Sequence, residues 1–440
     1  MGTRRVLALG ASAVLVATMA VACSSGRSAH TIKVVYMRST GPSRLMDNFL
    51  AGAKTQFEKA NPGSKVQLVP LQASEDDYYT KIQLMMRSPR TAPDVVYEDS
   101  SLVSSDAAAG YLRPLDDRVA AWPDWKQFTP AAQQAGRSAV DQKTYGVPVS
   151  TDTIGLWYNK QLLAKAGIPV PWQPKTWDDV LAAARAVKSH EPGVRPLFVR
   201  SGKSEAASFQ GLEMLLYGTG SSLYDTSQKK WTLGGSGLTD SLDFVHTVYH
   251  DGLGASPQEG LDPNVGASVT NEWLPEGKLA IDLDGSWIAS TWAAKGAKPW
   301  PQWSSTLGLA AMPTQHGQAP GKVSMSGGWT WALTSKGANP DAAWRFVQTV
   351  ESKDNLLTFT VQNSKVPVRN DVAADPAYRN SSPVAGFFSS LLSYTHYRPG
   401  VSTYPQVSTL LQTAMESVTD GSTSAADAAR ACESGARSVS

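Results

Sequence analysis

The sequence predicts an α/β fold in which a parallel sheet is covered by helices. Short apolar runs alternate with segments of helical periodicity from residue 31 onward. Alternation at this spacing is typical of parallel strands joined by crossover helices. A hydrophobic content of 42 % and a charged content of 18 % describe a globular chain with enough apolar residues for a large core.

The first elements follow from periodicity and turn chemistry. Thr31–Tyr36 has the composition of a buried strand. Ser43 is the expected N-cap of a helix in which apolar residues recur every four positions up to Phe57, and Asn61-Pro-Gly63 ends that helix. We then expect a strand over 65–69, a helix over 76–87 and a third strand over 94–97.

The later elements are spaced more widely. The segment 145–148 breaks the pattern, and 153–158 is again extended. Thr176 is the expected N-cap of an alanine-rich helix that runs to about Ser189. Further strands are predicted over 279–283, 307–311 and 329–334, and further helices over 162–167, 341–350 and 425–436.

The N-terminal segment has the features of an export signal. Two arginines precede the 16 apolar residues Val6–Val21, a stretch shorter than the about 20 residues that a membrane span needs. Ala20-Val-Ala-Cys23 resembles the lipobox of bacterial lipoproteins, in which the cysteine is lipidated. The alternatives are an ordinary signal peptide and, for the export route, a twin-arginine signal. We expect residues 1–22 to be removed and 23–30 to form a lipidated tether outside the plasma membrane.

Charge and cysteine content exclude several classes of protein. Without Arg4 and Arg5 the 40 basic residues become 38, which balance 38 acidic residues and argue against a nucleic-acid binder. With Cys23 consumed by lipid, Cys432 has no partner for a disulfide, and a cysteine-based zinc site is excluded. Six scattered histidines form no metal-binding motif, and no cofactor is implied.

Several sequence blocks carry a family resemblance through their shared order. The most specific is Tyr145–Pro148 followed by Leu156–Lys160 and Lys165–Ile168. The others are Phe57–Gly63, Ala92–Asp99, Ala109–Asp116, Gly277–Ala280, Asp284–Trp287, Ala311–Pro313, Ser326–Trp331, Ala343–Phe346 and Val366–Arg369. Together they resemble the extracellular solute-binding proteins of ABC importers, specifically the carbohydrate-binding, maltose-binding-protein-like cluster.

The resemblance implies a two-lobed, periplasmic-binding-protein-like fold of type II with a ligand cleft between discontinuous lobes. Lobe 1 would comprise 31–149 and 314–369, and lobe 2 would comprise 150–313 and 370–440. The resemblance also implies a monomer, without enzymatic activity, that closes around a small carbohydrate by hinge motion. Its further partners would be the lipid on Cys23 and the ABC permease subunits that receive the sugar.

Ligand residues carried over from the family lie at strand ends and at the crossings between lobes. Aromatic rings suit the apolar faces of a sugar, and fixed donors and acceptors suit its hydroxyls. Trp287 and Trp329 are the expected stacking residues, and Gly328 would let backbone and ligand approach closely. The full expected set is Tyr36, Arg38, Ser39, Glu98, Asp99, Asp152, Phe209, Gln210, Trp287, Gly328, Trp329, Tyr394, Arg398 and Tyr404.

Other functions remain open from the residues alone. In a secreted glycosidase, Glu98 with Asp99 or Asp152 would serve as acid and nucleophile, although adjacent acids on a strand point to opposite faces. The same fold would also suit an amino sugar, through these acids, or a glycerophosphodiester, through Arg38 or Arg398. A structural lipoprotein of the envelope is the remaining alternative.

Overall fold

The computed structural model describes residues 30–38 and 43–439. The predicted signal peptide, the lipidation of Cys23 with the tether up to residue 29, and the ligand contact of Ser39 lie outside the described residues. Within these ranges the strands are β1 (Thr31–Arg38), β2 (Lys65–Gln72), β3 (Val95–Asp99), β4 (Gly146–Ser150), β5 (Ile154–Asn159), β6 (Arg195–Phe198), β7 (Tyr224–Asp225), β8 (Lys230–Trp231), β9 (Leu279–Gly285), β10 (Leu307–Ala310), β11 (Ser324–Ser326), β12 (Trp329–Leu333) and β13 (Thr395–Tyr397).

Helices cover both sheets. The longer ones are Leu45–Ala60, Glu75–Met86, Trp177–His190, Ser236–His250, Pro340–Val350, Lys353–Gln362, Tyr404–Thr419 and Ala425–Arg437. The shorter α-helices are Val103–Ala108, Asp116–Ala120, Pro130–Ala135, Lys160–Lys165, Glu205–Ala207, Met214–Gly218, Pro257–Gly260, Val265–Ser268, Ala289–Trp292, Trp303–Thr306, Asn370–Ala373, Pro376–Arg379 and Ala385–Ser390. Helical turns of other pitch are Pro123–Gln127, Ser208–Glu213, Val269–Trp273, Ser286–Ile288 and Leu391–Tyr394.

The first sheet is mixed rather than purely parallel. Its strand order is β2-β1-β3-β12-β4, with β1 parallel to both β2 and β3. β12 lies antiparallel between β3 and β4, so the prediction of a parallel sheet holds only for the first three strands. The predicted break in the strand–helix pattern at 145–148 is wrong, because residues 146–148 belong to β4. Pro148 is tolerated there because β4 is an edge strand, which can lack a backbone donor on its free side.

The second sheet has the order β10-β5-β9-β6. β6 and β9 are parallel, whereas β5 is antiparallel to both of its neighbours. Two short pairs, β11 with β13 and β7 with β8, lie outside the main sheets.

The first residues of two helices test the predicted N-caps Thr176 and Ser43. Thr176 forms the predicted cap as a capping box, since its hydroxyl accepts from the Asp179 N–H while the Asp179 carboxylate accepts from the Thr176 N–H. The prediction for Ser43 is wrong. The first helix begins at Leu45 with Arg44 in the cap position, and no side chain caps it.

Two separate cores define the lobes. One core contains buried residues from 32–149 and 329–372, and the other contains residues from 154–325 together with residues 366 and 384–436. The first change of core therefore falls between Val149 and Ile154. The second falls after Met325 and not at the expected lobe boundary between residues 313 and 314, because Val323 and Met325 pack in the second core. In the described part of the chain, no helix is long and apolar enough to cross a bilayer.

Candidate functional site

A cleft of about 280 Å³ lies where the two lobes face each other. Nine of the predicted ligand residues line it: Arg38, Asp99, Asp152, Phe209, Gln210, Trp287, Gly328, Trp329 and Arg398. Its lining also includes residues that were not predicted, namely Met37, Ser43, Leu45, Met46, Asp47, Glu75, Tyr97, Glu205, Ala206, Ser290, Gly327, Phe359, Asn363 and Lys365.

The register of the first sheet brings two predicted residues together at this cleft. Trp329 begins β12 directly opposite Asp99, the last residue of β3. Because successive side chains of a strand point to opposite faces, Asp99 faces the cleft and Glu98 does not.

Glu98 is therefore a structural acid, and its prediction as a ligand residue is wrong. It is fully buried beside Asp106, and burial followed by the Asp106 charge raises its pKa well above the usual range. Gln83 Nε2 donates to Asp106 Oδ1 at 2.9 Å, while burial raises the pKa of Asp106 to about 6. A protonated Glu98 that donates a hydrogen bond to the Asp106 carboxylate explains how the two acids can be buried side by side.

Arg398 joins the two lobes across the cleft. Its Nη2 donates to both carboxylate oxygens of Asp99, at 2.8 and 3.0 Å, and its Nη1 donates to Glu205 Oε1 at 3.0 Å. The guanidinium carbon lies 4.6 Å from the ring centroid of Phe209. Burial alone would lower the pKa of Arg398, but the carboxylates of Asp99 and Glu205 outweigh it and raise the pKa. Asp99 comes from the first lobe and Glu205 from the second, so Arg398 links the two lobes at the cleft.

Asp99 is further fixed by its own lobe. Tyr79 Oη donates to Asp99 Oδ2 at 2.9 Å, and the N–H and hydroxyl of Ser101 both donate to Asp99 Oδ1. These donors hold the carboxylate in one orientation towards Arg398.

A second ion pair lies at the hinge. Lys365 Nζ donates to Asp152 Oδ2 at 2.9 Å, and the Gly327 N–H donates to Asp152 Oδ1. The same ammonium lies 4.7 Å from the ring centroid of Trp287. Trp287 also packs on Gly285, where an added Cβ would come within 1.9 Å of the ring. Trp287 is thus half-buried and lines the cleft, and its ring already contacts the Lys365 ammonium.

Trp329 has one face covered by its own lobe. Its ring stacks on Tyr97 with 4.5 Å between centroids and 6° between planes, and the side chain is 9 % exposed. Gly328 precedes it with φ +146°, and a Cβ there would lie 2.4 Å from the Ser150 carbonyl oxygen. Only glycine accommodates this conformation and this contact between the crossing segments.

Tyr36 supports the site without lining it. The Tyr36 hydroxyl donates to Asp47 Oδ1, and burial followed by the Asp47 carboxylate raises the pKa of Tyr36 to about 12. Arg38 Nε and Nη2 donate to the same oxygen at 3.1 and 2.9 Å. The predicted contact of Tyr36 with ligand is therefore replaced by a role in holding Asp47.

Tyr404 also lies behind the cleft wall. It is buried, with its hydroxyl 2.7 Å from Glu205 Oε1 and 2.7 Å from Glu213 Oε1. The single hydroxyl proton can be donated to only one of these carboxylates at a time. Burial and then the Glu205 charge raise the pKa of Glu213 to about 7. Tyr394 is also absent from the cleft lining; its ring lies 5.4 Å from Lys322 Nζ.

The unpredicted charged residues of the cleft had weak local signals. Lys365 stands immediately before the block Val366–Arg369 that carries part of the resemblance. Glu75 and Glu205 each open a helix, directly after a serine N-cap, so sequence explains them as ordinary first-turn acids.

The sequence of the chain matches a known protein family and several curated relatives. A model of the bacterial extracellular solute-binding proteins matches residues 42–356. A binding protein of Brucella abortus (strain 2308) is 25 % identical over 388 residues, covering 87 % of this chain and 86 % of the relative.

Two solved structures share the fold. One is an ABC transporter solute-binding protein of Thermotoga lettingae TMO bound with alpha-D-tagatose, with a TM-score of 0.79 at 21 % identity over 93 % of this chain and 100 % of its own. The other is the GacH receptor of Streptomyces glaucescens GLA.O, studied unliganded and with acarbose, with a TM-score of 0.77 at 24 % identity over 93 % and 100 %. The predicted type II, two-lobed α/β fold and the predicted family are confirmed. This chain belongs to the bacterial extracellular solute-binding proteins.

Proposed function

We propose that this chain captures a small carbohydrate in the cleft between its lobes. The observation that carries the proposal is the cleft of about 280 Å³ between the lobes, which is lined by aromatic rings and by charged groups of which all but one are paired. Clefts at domain interfaces are common small-molecule sites. The sugars named for the structural neighbours, tagatose and acarbose, support the same class of ligand.

The paired charges suit hydroxyl recognition. The ion pairs Arg398–Asp99 and Lys365–Asp152 present donors and acceptors in fixed directions while largely cancelling each other's charge. A hydroxyl that matches such groups binds well, and a ligand that lacks it leaves a buried polar group unpaired at a cost of about 1–3 kcal/mol. Trp287 and Trp329 would face the C–H surfaces of the ring.

The proposal includes binding without chemistry. Asp99 accepts from Tyr79, Ser101 and Arg398, and Glu98 faces away from the cleft, so neither acid is placed as the catalytic partner of a glycosidase. A glycerophosphodiester is disfavoured as cargo because Arg38, Lys365 and Arg398 are each already engaged by a carboxylate.

Delivery and anchoring are the remaining parts of the proposal. Closure of the lobes would present the loaded state to ABC permease subunits, and lipid on Cys23 would keep the monomer at the membrane beside them. Cys23→Ala should release the protein from the membrane fraction of cells that express the full chain. Membrane attachment of the alanine variant would overturn the lipid anchor while leaving the binding function open.

A thermal-shift screen tests the binding function. Residues 24–440 would be heated with mono- and disaccharides, sugar alcohols, amino sugars and glycerophosphodiesters. A ligand at 100 times its dissociation constant adds about 2.7 kcal/mol to the stability of the folded state and raises the melting temperature. Selective stabilisation by one carbohydrate class supports the proposal. Stabilisation by the phosphodiester alone overturns the carbohydrate part.

A further inference from the structure

The charges that line the cleft are unequal in number. Among the described residues, five carboxylates and three cations face the cleft, so this lining carries an excess of two negative charges when all are ionised. The carboxylates are Asp47, Glu75, Asp99, Asp152 and Glu205, and the cations are Arg38, Lys365 and Arg398.

All of these groups except Glu75 have an opposite charge beside them. Arg38 pairs with Asp47, Lys365 with Asp152, and Arg398 with both Asp99 and Glu205. The Glu75 carboxylate makes no hydrogen bond and no ion pair with any described residue, although it lines the same cleft. Among the described carboxylates that line the cleft, Glu75 is therefore the one that is available to pair with a charged group of a ligand.

The surroundings of Glu75 leave this charge uncompensated. Asp99 and Asp76 add negative potential at its carboxyl, and the positive potential from Arg398 and Arg200 offsets this only in part. Burial, followed by the Asp99 charge, raises the pKa of Glu75 to about 7. A half-buried carboxylate without a counter-ion is costly for the protein, and a cation from the ligand would remove that cost.

We infer that Glu75 receives a basic nitrogen of the ligand, so that the cleft prefers a carbohydrate with a free amino group over its neutral counterpart. This inference rests on the proposed function, because it names the class of carbohydrate that the cleft selects. An ammonium group at hydrogen-bonding distance from Glu75 forms a charge-assisted pair, the strong kind of hydrogen bond. An anionic ligand would be repelled by the excess of negative charge, and each of the described cations that line the cleft is already paired with a carboxylate.

The pairing predicts a pH signature. A bound ammonium favours the ionised form of Glu75 and lowers its pKa, so binding releases a proton where the free protein is still protonated. The affinity for an amino sugar should therefore rise as pH increases from about 5.5 towards about 7, a range in which most of the sugar amine is charged. A neutral sugar should show little change over the same range.

Calorimetric titration of the soluble chain with matched pairs of sugars tests the inference. The pairs are glucosamine with glucose, galactosamine with galactose, mannosamine with mannose, and deacetylated chitobiose with cellobiose. At about pH 7 the amino member of at least one pair should bind about tenfold or more tightly than its neutral partner, equivalent to about 1.4 kcal/mol. Buffers of different ionisation enthalpy should reveal the released proton.

Glu75→Gln should abolish both the preference and the proton release. Asp77→Asn is the matched control, because Asp77 is an exposed acid of the same helical turn that does not line the cleft. If neutral sugars bind as tightly as the amino sugars, or the preference survives in Glu75→Gln, the inference is wrong and carbohydrate binding stands. If sugars of neither kind bind, the proposed function fails and the inference falls with it. Should Glu75→Gln not fold, the pH dependence of the unaltered protein still decides.

Discussion

Replacing Arg398 by methionine should separate the two lobes and destabilise the folded chain. The side chain keeps its volume but loses the guanidinium that contacts Asp99 in one lobe and Glu205 in the other. Arg398 and Asp99 are 6 % and 5 % exposed, so solvent screens their interaction only weakly.

The magnitude follows from this burial. Removing one partner of a buried ion pair costs about 3–5 kcal/mol, because the remaining charges are left without compensation. Opening the cleft would hydrate Asp99 and Glu205 and recover part of that cost. We therefore expect a loss at the lower end, about 3 kcal/mol, together with a larger radius of gyration in the absence of ligand.

A double-mutant cycle isolates the contact. The free energy of unfolding would be measured in urea for Arg398→Met, Asp99→Asn and the double variant, and small-angle scattering would give the radius of gyration. The coupling energy should reach about 1.5 kcal/mol or more, as for other close charge pairs. Arg38→Met is the control, since that pair lies within one lobe and is more exposed. A coupling below about 0.5 kcal/mol, within ordinary additivity, would refute the bridging role.

Three further outcomes are expected. Trp287→Ala should weaken ligand binding by about 2 kcal/mol in calorimetric titration, and an unchanged dissociation constant with intact fold would remove Trp287 from the site. Glu98 binds its proton more tightly in the folded state, so the stability that this group contributes is fully present below its unfolded pKa of about 4.3 and is lost as pH rises through the folded pKa. Glu98→Gln should flatten this loss in urea unfolding at several pH values, whereas parallel curves would contradict the shared proton with Asp106. Gly328→Ala should lower stability by about 1–3 kcal/mol, because of its positive φ and the Ser150 contact, and an unchanged melting temperature would show that the crossing segments adapt.

Local signals in the sequence were sufficient for most elements of the fold. The capping box at Thr176 and the apolar repeat up to Phe57 depend only on neighbouring residues, and both helices form, although the first begins one residue later than a Ser43 cap predicts. The position of β12 could not be predicted in the same way. Its strand character is local, but its antiparallel insertion between β3 and β4 depends on pairing with residues far away along the chain.

The candidate site shows the same difference between features that local sequence predicts and features that depend on distant contacts. Alternation along β3 separates Glu98 from Asp99, yet only the packing of the lobes decides which of the two faces the cleft. Tyr404 was a reasonable aromatic candidate, and its burial behind Glu205 follows from how the helix Tyr404–Thr419 packs. Glu75 carries no sequence signal that distinguishes it from any other acid in a first helical turn.

The position of β12 between β3 and β4 in the first sheet has a consequence for how the molecule reaches its folded state. Trp329 pairs with Asp99 and Ala332 pairs with Gly146, so β4 joins the sheet only after the whole intervening second-lobe segment has been brought back. Pairing between such distant residues requires an unfavourable loop closure before any contact is gained, and chains dominated by it fold slowly. An N-terminal fragment that stops before residue 329 should therefore lack a complete first lobe, and a nascent chain should stay unable to bind ligand until Arg398, close to its end, has been made.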